Sequence, residues 1–159
     1  MPTLTIATDW PAQDEYEVRV YDTRSALRLV AAVEIVSPAN KDRPEHRRVF
    51  VAKCATLLQQ RVAVSIVDLV TVWDFNLYAD LLDLLGQRDP SLGSDPPPLY
   101  AASCRWRPKE KTRLLESWNQ PLTLGQPLPT LPLWLTDTLA VPLELEASYE
   151  QTCRDLRIA

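Results

Sequence analysis

The sequence predicts an α/β domain with a mixed central β-sheet flanked by helices, and three observations carry that expectation. The first third of the chain is built from period-two segments. A period-3.6 segment follows, and a run dense in β-branched residues resumes directly after it. With 159 residues, 46% of them hydrophobic, the chain is long enough to bury one core and too short to call for two. We therefore expect a single domain over residues 1–159: an α/β core over 1–120, an extended proline-rich segment over 121–142 and a C-terminal helix within 143–159.

The elements follow in order. Residues 3–8 alternate as a strand, Asp9-Trp10-Pro11 turns the chain, and residues 16–21 form a second strand with Val18 and Val20 on one face. Residues 21–25 read as a hairpin connection into a third strand over 27–36. From Pro44 to about Gln60 the apolar residues Phe50, Cys54, Leu57 and Leu58, helped by Val51, share one helical face, with proline suited to the first turn. The run from Val62 to Val70 is apolar on both faces, as a central strand covered on both sides must be. A helix between two such strands makes a βαβ crossover, so the strands should be parallel neighbours.

Asp74 is positioned to cap a short helix carrying Tyr78, Leu81, Leu82 and Leu85, ended by Gly86. Residues 87–98, with three consecutive prolines, form a loop, and residues 99–106 and 113–118 return as strands. The prolines of 121–142 favour an extended path along the surface, pinned by Leu131, Leu133 and Leu135. A helix over about 143–154 closes the chain.

One residue breaks the pattern in a chemically informative way. Glu34 interrupts the apolar strand over 27–36, just before the break Ser37-Pro38-Ala39-Asn40-Lys41. Burying an unpaired carboxylate is costly, so a glutamate in such a place takes a cation, a metal or a hydrogen-bond donor as partner. Lys41 and Lys53 are the nearby cations. Asp68, in the central strand, reads either as a further metal ligand or as a cap for backbone amides at the strand end.

Composition narrows the function. The net charge of −4 argues against a protein that coats nucleic acid or anionic membrane through its overall field. Nucleic-acid contact must then be local, through two basic clusters: Lys41, Arg43, Arg47, Arg48 and Lys53 in one, and Arg105, Arg107, Lys109, Lys111 and Arg113 around Trp106 in the other. Three dispersed cysteines, Cys54, Cys104 and Cys153, suit buried thiols in a reducing compartment, so a cytoplasmic location is expected. No apolar run is long enough for a membrane span. With three glycines and no glycine-rich phosphate loop, P-loop and Rossmann nucleotide sites are excluded. His46, the single histidine, sits among Glu45, Arg47 and Arg48 and reads as an exposed helix start.

The string from Val33 to Lys41 resembles the EVLSPxNK signature of the bacterial family called domain of unknown function 4058. Phe50-Val51-Ala52-Lys53 is similar to its YLRK, Val67-Asp68-Leu69 to its EIDLL, and Asp155-Leu156-Arg157-Ile158 to its YDLRI. Trp106-Arg107-Pro108 and residues 127–132 continue the resemblance, which covers the chain from about Tyr16 onward. An FPGMDP-like N-terminal portion found in the family is missing, so either a shortened member or a truncated chain is expected; Ile66 stands where the family normally has glutamate and Thr71 where it often has arginine.

The EVLSP motif is also similar to that of the Uma-type proteins, which have the PD-(D/E)XK nuclease fold. This resemblance implies a restriction-endonuclease-like core and Mg²⁺ as cofactor. It implies Glu34 as the second acid, Glu17, in preference to Asp22, as the first, and Lys53 as the lysine that has moved to the following helix, since Val36 fills its usual place. The metal ligands would be Glu17, Glu34 and Asp68, with Glu34 and Lys53 catalytic. A structural Glu34–Lys53 ion pair without turnover is the bland reading of the same residues. A catalytically inactive interaction module, alone or as a homo-oligomer, is the alternative function, its partner docking on the proline-rich stretch or on an open strand edge.

Overall fold

The computed structural model describes residues 16–158 and is mixed α/β. The strand expected over 3–8 lies outside the described residues. Strands β1 (Tyr16–Asp22), β2 (Arg28–Ile35), β3 (Ala63–Asp68), β4 (Tyr100–Lys109) and β5 (Thr112–Pro121) form one sheet in that order. Every neighbouring pair is antiparallel except β2 and β3, which are parallel as the crossover pattern predicts.

Two short hydrophobic layers sandwich the sheet. On one face, helices α2 (Pro44–Gln59) and α3 (Leu77–Leu84) bury Phe50, Cys54, Leu58, Leu77 and Leu81 against Val64, Ile66, Ala102 and Cys104. On the other, Ala31, Val33, Ala63 and Val67 pack beneath Leu133. Because β3 is buried along its whole length, its β-branched residues serve both layers.

Several elements depart from the expected pattern. A four-residue helix, α1 (Pro38–Lys41), occupies what reads as a simple break, because Asn40 Oδ1 accepts hydrogen bonds from the Ser37 amide at 2.8 Å and the Ser37 hydroxyl at 3.0 Å. The cap of α3 is Asn76 rather than Asp74: its Oδ1 accepts from Ala79 N at 2.8 Å while its Nδ2 donates to the Pro97 carbonyl at 2.7 Å. An amide can do both, which a carboxylate cannot.

The proline-rich stretch does more than run along the surface. It forms a two-stranded hairpin, β6 (Thr130–Trp134) with β7 (Ala140–Glu144), in which Pro132 and Pro142 are paired in register. Leu131 and Leu133 are buried as expected, and the Ser103 hydroxyl donates to the Pro132 carbonyl. Helix α4 (Leu145–Leu156) follows and buries none of its residues fully. Among the described residues, no helix is long and apolar enough to cross a membrane.

Candidate functional site

The helix-covered face of the sheet carries two charge clusters, one part-buried and one fully buried, and each begins with a carboxylate on a strand. Glu17 and Glu34 are register partners on the antiparallel strands β1 and β2, so their side chains emerge side by side on one face. Two like charges so placed repel each other. Lys53, on α2, resolves the conflict: its Nζ donates to Glu17 Oε2 at 2.7 Å and to Glu34 Oε2 at 3.0 Å. Position 53 lies one residue before buried Cys54, at the edge of the apolar helical face, and the four-carbon stem carries the ammonium back over the sheet. The lysine side chain is 26% exposed and that of Glu34 only 4%.

The partners are unequally shared. Glu17 Oε1 receives the Arg19 guanidinium at 2.6 Å, so both its oxygens are engaged. Glu34 Oε1 is buried and has no hydrogen-bond partner among the described residues.

This asymmetry separates the two acids chemically. The Lys53 hydrogen bond, against some burial and with help from Arg19, holds Glu17 below the usual carboxylate range. Burial pushes Glu34 up, against the opposing pull of Lys53 and aided by the charge of Glu17. Burial also works against the Lys53 ammonium, but Glu17 and Glu34 together outweigh it and hold the lysine above its ordinary value. Of the two acids Glu17 is thus the more readily ionised and Glu34 the less, with the lysine charge between them.

Asp68 belongs to a different cluster. It lies at the end of β3, where its Oδ2 accepts from Lys41 Nζ at 2.9 Å and its Oδ1 from the Val70 amide at 3.1 Å. Both side chains of the Lys41–Asp68 pair are completely buried. Lys41 also donates to the Pro98 carbonyl at 3.3 Å, so the pair ties α1, the end of β3 and the loop before β4 together. Asp68 is thus the strand-end cap, with Lys41 as its counter-ion, and its two oxygens are already spoken for. The expectation that it joins Glu17 and Glu34 around a metal is corrected on this ground. Among the described residues, no three His, Cys, Asp or Glu side chains are grouped to hold a metal ion.

Three of the five cations in the first basic cluster are engaged elsewhere, while Arg43 and Arg48 stay exposed. Lys41 is buried, Lys53 serves the glutamates, and Arg47 stacks its guanidinium 3.6 Å from the centre of the Phe75 ring. His46 is exposed, as expected, and its Nδ1 lies 2.6 Å from Asp42 Oδ1, a local helix-start contact. The second cluster stays together: Glu116 bridges Arg105 at 2.6 Å and Arg107 at 2.8 Å, while Arg113 lies over Trp106 at 4.9 Å. Arg28 and Arg61, distant in sequence, join the same end of the sheet, and only the parallel crossover brings them there.

No protein-family model, curated protein or solved structure matches this chain. The resemblance to domain of unknown function 4058 and to the Uma-type proteins accordingly stands on its motifs.

Proposed function

We propose that Glu17, Glu34 and Lys53 form the acid–acid–lysine centre of a Mg²⁺-dependent phosphodiesterase acting on nucleic acid, within a restriction-endonuclease-like core. One observation carries the reading: two glutamates face each other in register, one lysine bridges them, and the buried Glu34 Oε1 is left without a partner among the described residues. A hard cation is a natural occupant beside such an oxygen, since Mg²⁺ is commonly held by one or two carboxylates with water and phosphate completing its shell. Glu34 would hold the ion through Oε1, and Glu17 would join it only by giving up its Arg19 or Lys53 contact; when bound, the ion supplies charge neutralisation at the phosphoryl oxygens.

The remaining work falls to the chain itself. Glu17 stays ionised and keeps the lysine in place. Lys53 stays protonated, so it orients the water and faces developing negative charge rather than acting as a base.

The test is cleavage of single- and double-stranded DNA and RNA with and without Mg²⁺, comparing the wild type with Glu34→Gln. Metal-dependent cleavage lost in the variant is the expected result. Cleavage absent in the wild type, or retained in Glu34→Gln, overturns the catalytic reading.

A second reading, an inactive interaction module of the same fold, is favoured by the occupation of both Glu17 oxygens and by the diversion of Asp68 to Lys41. It predicts stable partner or self-association. A strict monomer in light scattering that captures nothing in pull-downs counts against it.

A further inference from the structure

Three concavities adjoin one another around the end of the sheet where β2 and β3 begin and the β4–β5 hairpin turns. The widest, about 900 Å³, lies on the helix face between α3 and the edge strand β5. Through Gln59, Trp106 and Arg113 it meets a hollow of about 290 Å³. Arg61 and Trp106 connect that hollow in turn to a third, about 230 Å³, on the opposite face beside Trp134. Small-molecule sites usually occupy about 300–1,000 Å³, so the first can take a nucleoside-sized group whereas the other two suit something no larger than a phosphate group.

Charge follows the same division. Arg61, Arg107 and Arg113 line the middle hollow, and Arg28, Arg61 and Arg105 the last. The carboxylates against them are few: Glu116 holds Arg105 and Arg107, Asp137 lines the last hollow, and Asp22 is the cross-strand partner of Arg28. Among the described residues, Arg28, Arg61 and Arg113 enter no salt bridge. In a chain of net charge −4, so many guanidinium groups at one end of a sheet are a local field of the opposite sign, and guanidinium forks match phosphate oxygens. The wide groove instead offers Trp106 for stacking; Asn119 lines it as well, its Oδ1 buried and without a hydrogen-bond partner among the described residues.

We propose that this track binds single-stranded nucleic acid, with consecutive backbone phosphates in the two arginine hollows and a base in the wide groove beside Trp106. A track that passes from one face of the sheet to the other suits a flexible strand and not a stiff duplex. The proposal goes beyond the Glu17–Glu34 centre. That centre lies at the opposite end of β2, and the track requires no metal.

Fluorescence anisotropy with an end-labelled oligothymidylate of about 10 nucleotides, in the presence of EDTA, tests it. Saturable binding is expected, and contact with about two phosphates gives a salt slope near −1.4, a loss of about sevenfold between about 50 and 200 mM salt. The double variant Arg61→Gln/Arg113→Gln, both at exposed positions, should bind at least about tenfold more weakly and lose about 1.4 from that slope. Arg154→Gln on α4 should bind as the wild type does. Binding that is absent at about 100 μM protein in low salt, unchanged in the double variant, or stronger for duplex or AMP than for the oligonucleotide, overturns the proposal. Because EDTA removes the cation, such a failure leaves the metal reading to its own test.

Discussion

Replacing Lys41 with methionine should be the most damaging single change on the helix side of the sheet. The ammonium is completely buried and is held by Asp68 Oδ2 and the Pro98 carbonyl, so its removal strands a buried carboxylate with only the Val70 amide for company. Breaking a buried pair from one side costs about 3–5 kcal/mol, a large fraction of the roughly 5–15 kcal/mol that holds a domain together. For a chain of this size that is a fall in Tm of about 6–20 °C. Burial already raises the Asp68 pKa, against Lys41 and the Val70 amide. With the lysine gone it rises further, so the native state of Lys41→Met takes up a proton that the unfolded chain releases above about 3.9. The deficit therefore shrinks as pH falls from 7 towards 5. Asp68→Leu leaves a cation instead and gains no such relief from acid. The double variant Lys41→Met/Asp68→Leu removes both charges and should lose only about 1–3 kcal/mol, chiefly for the stranded Val70 amide. Urea unfolding followed by circular dichroism at pH 7 and pH 5 reads all three. A cost under about 1 kcal/mol for Lys41→Met, or costs that simply add in the double variant, would refute the reasoning.

Two further outcomes follow from the buried thiols and the lysine. Cys54 and Cys104 are completely buried, and burial pushes both thiols up, Cys104 to about 12. A thiol reagent should therefore modify only Cys153, which is part-exposed, in the native protein and reach all three after unfolding. Stability should also fall as pH rises above the ordinary thiol value of 9.0, because the folded state holds thiol protons that the unfolded chain gives up. Lys53 adds to the loss as pH rises past 10.5, since its pKa is raised in the fold. Each group contributes at most about 1.4 kcal/mol per pH unit; chemical denaturation at about pH 8 and pH 10 measures the thiol loss, and a further point at about pH 11 adds that of Lys53.

The parts of the fold that could be read in advance are those where one residue type has one physical use. The β-branched run around Val64 and Ile66 has no other home than a strand covered on both faces, and a helix between it and β2 dictates parallel pairing. Glu34 was conspicuous because an acid inside an apolar strand must find a partner, and Lys53 could be anticipated from its place beside Cys54 on the helix edge. Lys41 reads in the sequence as a cation for Glu34 or as part of a basic cluster; its pairing with Asp68 carries no local signal, because only the three-way closure of α1, β3 and the Pro98 loop buries it. Asp74 lost the cap to Asn76 because the helix starts at fully buried Leu77, which fixes the capping position from the inside. The β6–β7 hairpin was obscured by its prolines, whose extended geometry fits a short edge-type ribbon as well as a surface path. Arg28 and Arg61 carry no local signal, since topology alone brings them to Arg105.

Divalent-cation binding at Glu34 is the most direct test of the central claim, and titration of Mn²⁺ followed by electron paramagnetic resonance measures it without needing a substrate. One bound ion per chain, displaced by Mg²⁺ and lost in Glu34→Gln while the fold stays intact, is the predicted result. Mn²⁺ that stays free beside the native protein, or binds Glu34→Gln equally well, would mean that the two glutamates and Lys53 are a structural ion cluster and nothing more.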